Sequence, residues 1–279
     1  MSQIVKRIIT AVIFGSIVVF SIIVNQFVFA LLIYCALIVA FIEFKTIANT
    51  IAPPVKLSLN LILGTFFYWL VFALMYFNFD KIILLILFFW LLFLLQACFT
   101  VFSKNKRILN HLKNPFFPAL YIAFPLAILN SNDEILNNFN IVSDVPVMLL
   151  FFIFTIWLYD IFAYLSGISL GKHKLCKRLS PQKTWEGLIG GTIITIIIFV
   201  ILSIILKNSD FLQGLIGVLI IVGFATTGDL FESFLKRNAK MKDSGNLLPG
   251  HGGVLDRFDS IFFAAPVFYL YCVIITYRL

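Results

Sequence analysis

Charge is scarce in this chain. Only 12% of its 279 residues are Asp, Glu, Lys or Arg, about half the share of an ordinary soluble domain. With 61% hydrophobic residues, a soluble globule would have too little polar surface to cover its core. The abundance of Phe, Ile and Leu excludes a disordered chain. Cysteine is sparse as well: Cys35, Cys98, Cys176 and Cys272 are scattered without paired spacing, so neither a disulfide framework nor a zinc site is indicated. Alternation is missing from runs such as Ile82 to Leu95, which excludes a transmembrane β-barrel built from strands of about ten alternating residues. What is present is a succession of long apolar segments with a mean hydropathy of +1.04. The chain reads as all-α, a polytopic transmembrane helical bundle.

Nine segments approach the roughly 20 apolar residues that a spanning helix needs: 8–24, 27–44, 57–77, 82–102, 116–129, 146–168, 187–206, 211–230 and 260–277. The fifth is the shortest and carries Pro118 and Pro125. Lys6 and Arg7 precede the first as they would in a secretory signal, but its apolar run is long and lacks a small-residue cleavage site, so it reads as a retained helix. No long polar segment and no repeat divides the chain. One membrane domain is expected over 1–279, with scaffold spans in 1–145 and catalytic spans and cytoplasmic loops in 146–279.

Charge placement orients these spans. With the N-terminus in the cytoplasm and nine crossings, only Lys81, Lys207 and Arg278 fall on the far side, so 18 of the 21 basic residues face the cytoplasm. That bias is the positive-inside rule. The net charge of +8 therefore calls for no nucleic acid, and basic loops of this kind suit anionic headgroups and nucleotide phosphates. A bacterial cytoplasmic (inner) membrane, with the site facing the cytoplasm, is the expected location.

The two halves differ in polarity. Up to about residue 150 the apolar runs are nearly free of ionisable groups, Glu43 being the exception. Beyond that, polar residues gather in three places. In the first, Trp157 to Gly167, Asp160 sits within an apolar span, with Tyr164 four residues on and on the same helix face. A carboxylate there costs about 2.5–3.5 kcal/mol on insertion scales, so it either pairs with a neighbouring Lys or hydroxyl or forms a polar wall of a hydrated site. The second is the basic loop from Gly171 to Gly187. Its cations suit a topology determinant, but Ser180-Pro181 before Lys183-Thr184 suits phosphate contact. Glu186 can charge the start of the next helix or act in the site.

The third is the most informative. Asp229 and Glu232 are three residues apart, as are Asp256 and Asp259, so each pair shares a helix face. Between them lie Lys236, Arg237, Lys242 and Asp243, then Pro249-Gly250-His251-Gly252-Gly253. Five carboxylates, five cations and five glycines within 228–259 describe a magnesium site beside a phosphate-binding loop. His251 has no second histidine placed to pair with it, so a transition-metal site is not expected. No nucleophile elbow, Walker A or dinucleotide-binding pattern is present.

Ser233-x-Leu235-Lys236-Arg237-x4-Lys242-Asp243-x-Gly245-x2-Leu248-Pro249-x-His251-Gly252-Gly253-Val254-x-Asp256-Arg257-Phe258-Asp259 resembles the signature of phosphatidate cytidylyltransferases, the CDP-diacylglycerol synthases. Gly228-Asp229-Leu230 extends the likeness upstream. Ser180-Pro181-Gln182-Lys183-Thr184-Trp185-Glu186-Gly187 resembles a second block, with Gln182 where the family has Lys, and Asp160 with Ala163-Tyr164 a third. The resemblance implies transfer of CMP from CTP to phosphatidic acid, giving CDP-diacylglycerol and pyrophosphate. It implies Mg2+, allows a second, monovalent cation such as K+, and allows a homodimer embedded in membrane lipid. Asp229 and Asp256 become the expected metal ligands. Lys236, Arg237, His251 and Asp259 are expected at the chemistry. Asp160, Ser180, Lys183, Ser233, Lys242, Asp243, Gly252, Gly253 and Arg257 are expected to bind substrate. Two rivals stand beside this reading: another nucleotide-dependent polyprenyl- or lipid-phosphate transferase, and an ion-coupled transporter using Asp160 and Asp229.

Overall fold

The computed structural model describes residues 3–52, 56–77, 79–103, 106–130, 147–205, 211–247 and 252–277. Nine helices account for most of the described residues: α1 (Gln3–Val24), α2 (Gln26–Ile51), α3 (Leu57–Tyr76), α4 (Asp80–Phe102), α5 (Phe116–Ile128), α6 (Val147–Leu170), α7 (Trp185–Ile205), α8 (Phe211–Asn238) and α9 (Leu255–Tyr277). Seven of them, α2–α4 and α6–α9, are long and apolar enough to cross a membrane, while the apolar stretches of α1 and α5 are shorter. Large apolar side chains such as Phe20, Phe66, Leu95, Ile193 and Ile204 face outward. A helix apolar all round that keeps its outward face bare of charge is suited to lipid rather than water.

Two helices, α8 and α9, outrun their apolar spans because their polar residues are buried. The apolar run of α8 ends near Leu230, yet the helix continues to Asn238 because Glu232, Ser233 and Lys236 lie inside the bundle. α9 likewise begins at Leu255, five residues ahead of the span expected from hydropathy, with Asp256 and Asp259 buried. In α5 the turn Ala119–Ala123 is a π-helix. Pro125 has no N–H to offer the carbonyl of Tyr121, and the wider turn accommodates that loss.

α5 is the plug of the core. Its Tyr121 ring lies 5.2 Å from Phe231 of α8 and 5.0 Å from Phe262 of α9, and Trp90 of α4 meets the Phe263 ring edge-on at 6.2 Å. Through these aromatic contacts the front half is packed against the helix pair that carries the polar motif. α8 and α9 approach closely at Gly228, where a Cβ would stand 2.5 Å from the Asp259 carbonyl oxygen. That missing side chain lets Asp229 and Asp259 share one locality. The basic loop from Gly171 to Gly187 contains a two-stranded antiparallel hairpin, β1 (Lys174–Cys176) and β2 (Ser180–Thr184).

Candidate active site

The hairpin is fastened at both ends. At its base the Trp185 amide donates to the His173 carbonyl at 2.9 Å. The Glu186 carboxylate accepts from the amides of Lys172 and His173 at 3.1 Å and from His173 Nδ1 at 2.6 Å. At its tip Arg178 donates to the carbonyls of Val101 at 2.7 Å and Ser103 at 3.0 Å. Arg237 donates to the Leu179 carbonyl at 3.2 Å. Glu186 thus ties the hairpin to the start of α7, and Arg237 ties it to the end of α8.

So held, β2 carries Lys183 to the side of α8, where its ammonium pairs with Asp229. The two side chains are 29% and 25% exposed, so the pair is open to solvent on one side. Burial opposes the charge on Lys183, but Asp229, then Asp160 and Asp259, surround it with negative charge and hold the ammonium above the usual lysine range. Asp160 of α6 is exposed toward this space, within electrostatic reach of Lys183, Asp229 and Arg257. The Ser233 hydroxyl makes a long 3.4 Å bond to Asp229 Oδ1.

Beneath this open layer lies a buried one. Lys236 places its ammonium 2.7 Å from Glu232 Oε2 and 2.6 Å from Asp256 Oδ1. Asp256 also accepts the amide of Ser244 at 2.9 Å and that of Gly253 at 2.8 Å, both on Oδ2. Its carboxylate therefore pins the two arms of the loop between α8 and α9, reaching back to the chain ahead of its own helix much as in a capping box. The Tyr121 hydroxyl and Glu232 Oε1 are buried here without a hydrogen-bond partner among the described residues.

The chemistry of the donors suits a divalent cation. Among the described residues, the side chains that act most strongly on one another here are five carboxylates, Asp160, Asp229, Glu232, Asp256 and Asp259, and three cations, Lys183, Lys236 and Arg257, so acidic groups outnumber basic ones by two. The donors are hard oxygens, as Mg2+ prefers. Among the described residues no three His, Cys, Asp or Glu side chains form a ready cage. Mg2+ keeps waters and shares substrate phosphates rather than filling an all-protein shell, so an incomplete acidic wall fits the ion.

The sequence-predicted residues divide by place. Asp160, Lys183, Asp229 and Arg257 belong to the open layer, with Ser233 and Asp259 buried beside it. Lys236 and Asp256 are committed to each other below it. Ser180 is half-buried at the start of β2, opposite Cys176. Lys242 and Asp243 are exposed on the loop after α8, with Gly252 (φ +81°) close to Asp243. Gly253 is buried against Glu43. His251 lies outside the described residues. Sequence reasoning did not give Glu43 a role, yet it accepts three hydrogen bonds from this loop. Its signal was visible as the lone carboxylate inside the expected apolar spans of the front half.

The family model of the Cytidylyltransferase family matches residues 5–275. The chain is 45% identical over 120 residues to a Staphylococcus saprophyticus protein named phosphatidate cytidylyltransferase, covering 43% of this chain and 46% of that one. A Bacillus subtilis protein of the same name is 46% identical over 115 residues, 41% and 43% of the two chains. One from Aquifex aeolicus is 38% identical over 156 residues, 56% and 53%. The chain thus spans about half the length of the curated relatives it matches. With a match that runs through nearly all of its length, the chain belongs to the cytidylyltransferase family.

Proposed function

We propose that the protein transfers CMP from CTP to phosphatidic acid, giving CDP-diacylglycerol and pyrophosphate. The observation that carries this reading is Lys183, a cation held among Asp229, Asp160 and Asp259 where the polar hairpin meets apolar helices. A charged headgroup and a nucleotide need such a boundary, since the acyl chains can stay in lipid while the phosphates reach water. The relatives named phosphatidate cytidylyltransferase support the same substrates.

The lipid phosphate is already anionic near neutral pH and needs no strong general base. One of its oxygens attacks the α-phosphorus of CTP in line, the bond from that phosphorus to the bridging oxygen breaks, and the electron pair leaves with pyrophosphate. Such transfers depend on positioning and charge stabilisation. Lys183 and Arg257 supply positive charge to the converging phosphates, Arg257 with the geometry for bidentate contact. Asp229 is the reachable carboxylate that would hold Mg2+, with Asp160 and Asp259 beside it. Asp256 would join only in exchange for its bond to Lys236. When bound, Mg2+ would supply a Lewis acid and template for the phosphates.

In the same reading the N-terminus is cytoplasmic, α1 and α5 complete nine crossings, and the site faces the cytoplasm of a bacterial inner membrane. The excess of Lys and Arg on that side supports this orientation. The test is a substrate panel: purified protein in lipid nanodiscs, labelled CTP, and phosphatidic acid or polyprenyl phosphate as acceptor. Labelled CDP-diacylglycerol that forms with Mg2+ and stops on chelation is the expected result. Label passing only to the polyprenyl acceptor would overturn the substrate, and label passing to neither would overturn the reading.

A further inference from the structure

One carboxylate from the front half of the chain fastens the two described arms of the loop between α8 and α9. Glu43 of α2 is 7% exposed. It accepts the amide of Leu255 at 2.7 Å, the amide of Val254 at 3.0 Å and the hydroxyl of Ser244 at 3.0 Å. The first two are among the amides that a helix start leaves without an internal partner, and an anion is favoured there by the helix dipole. Room for the carboxylate is made by glycine. A Cβ on Gly245 would lie 2.5 Å from Glu43 Oε1, and one on Gly253 2.5 Å from Oε2.

The loop is shared between two acids in alternation. Ser244 gives its amide to Asp256 and its hydroxyl to Glu43. Gly253 gives its amide to Asp256, and the next two amides go to Glu43. Asp256 belongs to α9, whose start the loop runs into. Glu43 belongs to α2, a helix remote in sequence, and is the fixed post against which the loop is set.

We propose that Glu43 is a positioning residue. It touches no substrate, but it fixes the arms at 244–245 and 253–255 that flank the Pro-Gly-His-Gly segment in sequence, and so sets where Asp243, Gly252 and Arg257 meet the phosphates. This role rests on the nucleotidyl transfer proposed above, and its experiment separates the two.

The full chain carrying Glu43→Gln, in nanodiscs, is compared with wild type by hydrogen exchange without substrate and by steady-state kinetics. Gln keeps the shape but replaces one acceptor oxygen with a donor facing donors. Peptides covering 241–258 should exchange faster by about tenfold or more, as expected on losing charge-assisted bonds, while peptides from α5 and α6 keep wild-type rates. KM for CTP should rise by about tenfold, and Glu43→Asp should recover part of it. Ser244→Ala, which removes one donor, should shift the same peptides by a smaller factor and add little to Glu43→Gln. Unchanged exchange in 241–258, or faster exchange spread through every helix, would overturn the assignment. If wild type shows no transfer at all, the functional reading fails, while the exchange comparison still decides whether Glu43 clamps the loop.

Discussion

Lys236 donates to Asp256 at 2.6 Å and so joins α8 to the first turn of α9. The same ammonium faces Glu232, and the three side chains are 10%, 6% and 0% exposed. A cation enclosed by two carboxylates in an apolar bundle is a structural rivet before it is anything else. Lys236→Met would strand two buried carboxylates, an error worth about 3–5 kcal/mol. A lowered midpoint in a detergent thermal-stability assay is the expected outcome, with partial recovery when Glu232→Gln is added. A wild-type midpoint in the single variant would show that the ion pair carries no such weight.

Asp229 and Asp256 are expected to fail in different ways. Asp229 is 25% exposed and shares its charge with Lys183, 29% exposed; Asp229→Asn should remove turnover and leave the thermal midpoint nearly unchanged. Asp256 binds Lys236 and the amides of Ser244 and Gly253. Asp256→Asn should remove turnover and also lower the midpoint, because Lys236 loses one of its two buried carboxylates and the amides of Ser244 and Gly253 lose a charged acceptor. Equal midpoints for the two variants, measured beside their turnover, would contradict this separation.

Lys183 gives a prediction in pH. Its ammonium is held above the ordinary lysine value by Asp229, Asp160 and Asp259. A raised value means that its contribution is whole below the ordinary lysine pKa of about 10.4 and fades only as pH climbs past that point. Lys183→Met should raise KM for CTP about ten- to hundredfold. The ratio of wild-type to variant kcat/KM should then stay flat from about pH 6 to 9. A ratio that falls across this window would mean that Lys183 loses its proton there.

How much of this was legible in the sequence depends on distance along the chain. The helices were legible because lipid demands long apolar runs, and the pairing of Asp229 with Glu232 and of Asp256 with Asp259 follows from helical spacing alone. The extension of α8 to Asn238 was hidden, since hydropathy reports the lipid-facing part of a helix and not the part whose charges are buried among themselves. The hairpin was hidden too: its strands are short and its sequence basic, and it is held by carbonyls of Val101 and Ser103 that no local pattern announces. Glu43 and Ser244 are separated by 201 positions, and only folding could reveal that they meet.

Arg178 offers the means to test whether the hairpin must be fixed for Lys183 to act. The guanidinium reaches two carbonyls at the end of α4, at 2.7 and 3.0 Å. It is the anchor of the hairpin tip on the front half of the chain, and it stands away from the reacting groups. Arg178→Ala removes two hydrogen bonds from a charged donor, each worth about 1.5–3 kcal/mol at most and less where solvent reaches the group. Trypsin should then cleave in 172–183 sooner than in wild type. KM for CTP should rise several-fold, with kcat less affected, because the loosened hairpin delivers Lys183 less often. Faster cleavage with an unchanged KM would mean that Lys183 is positioned by Asp229 alone. Unchanged cleavage would mean that the hairpin stands without its anchor on α4.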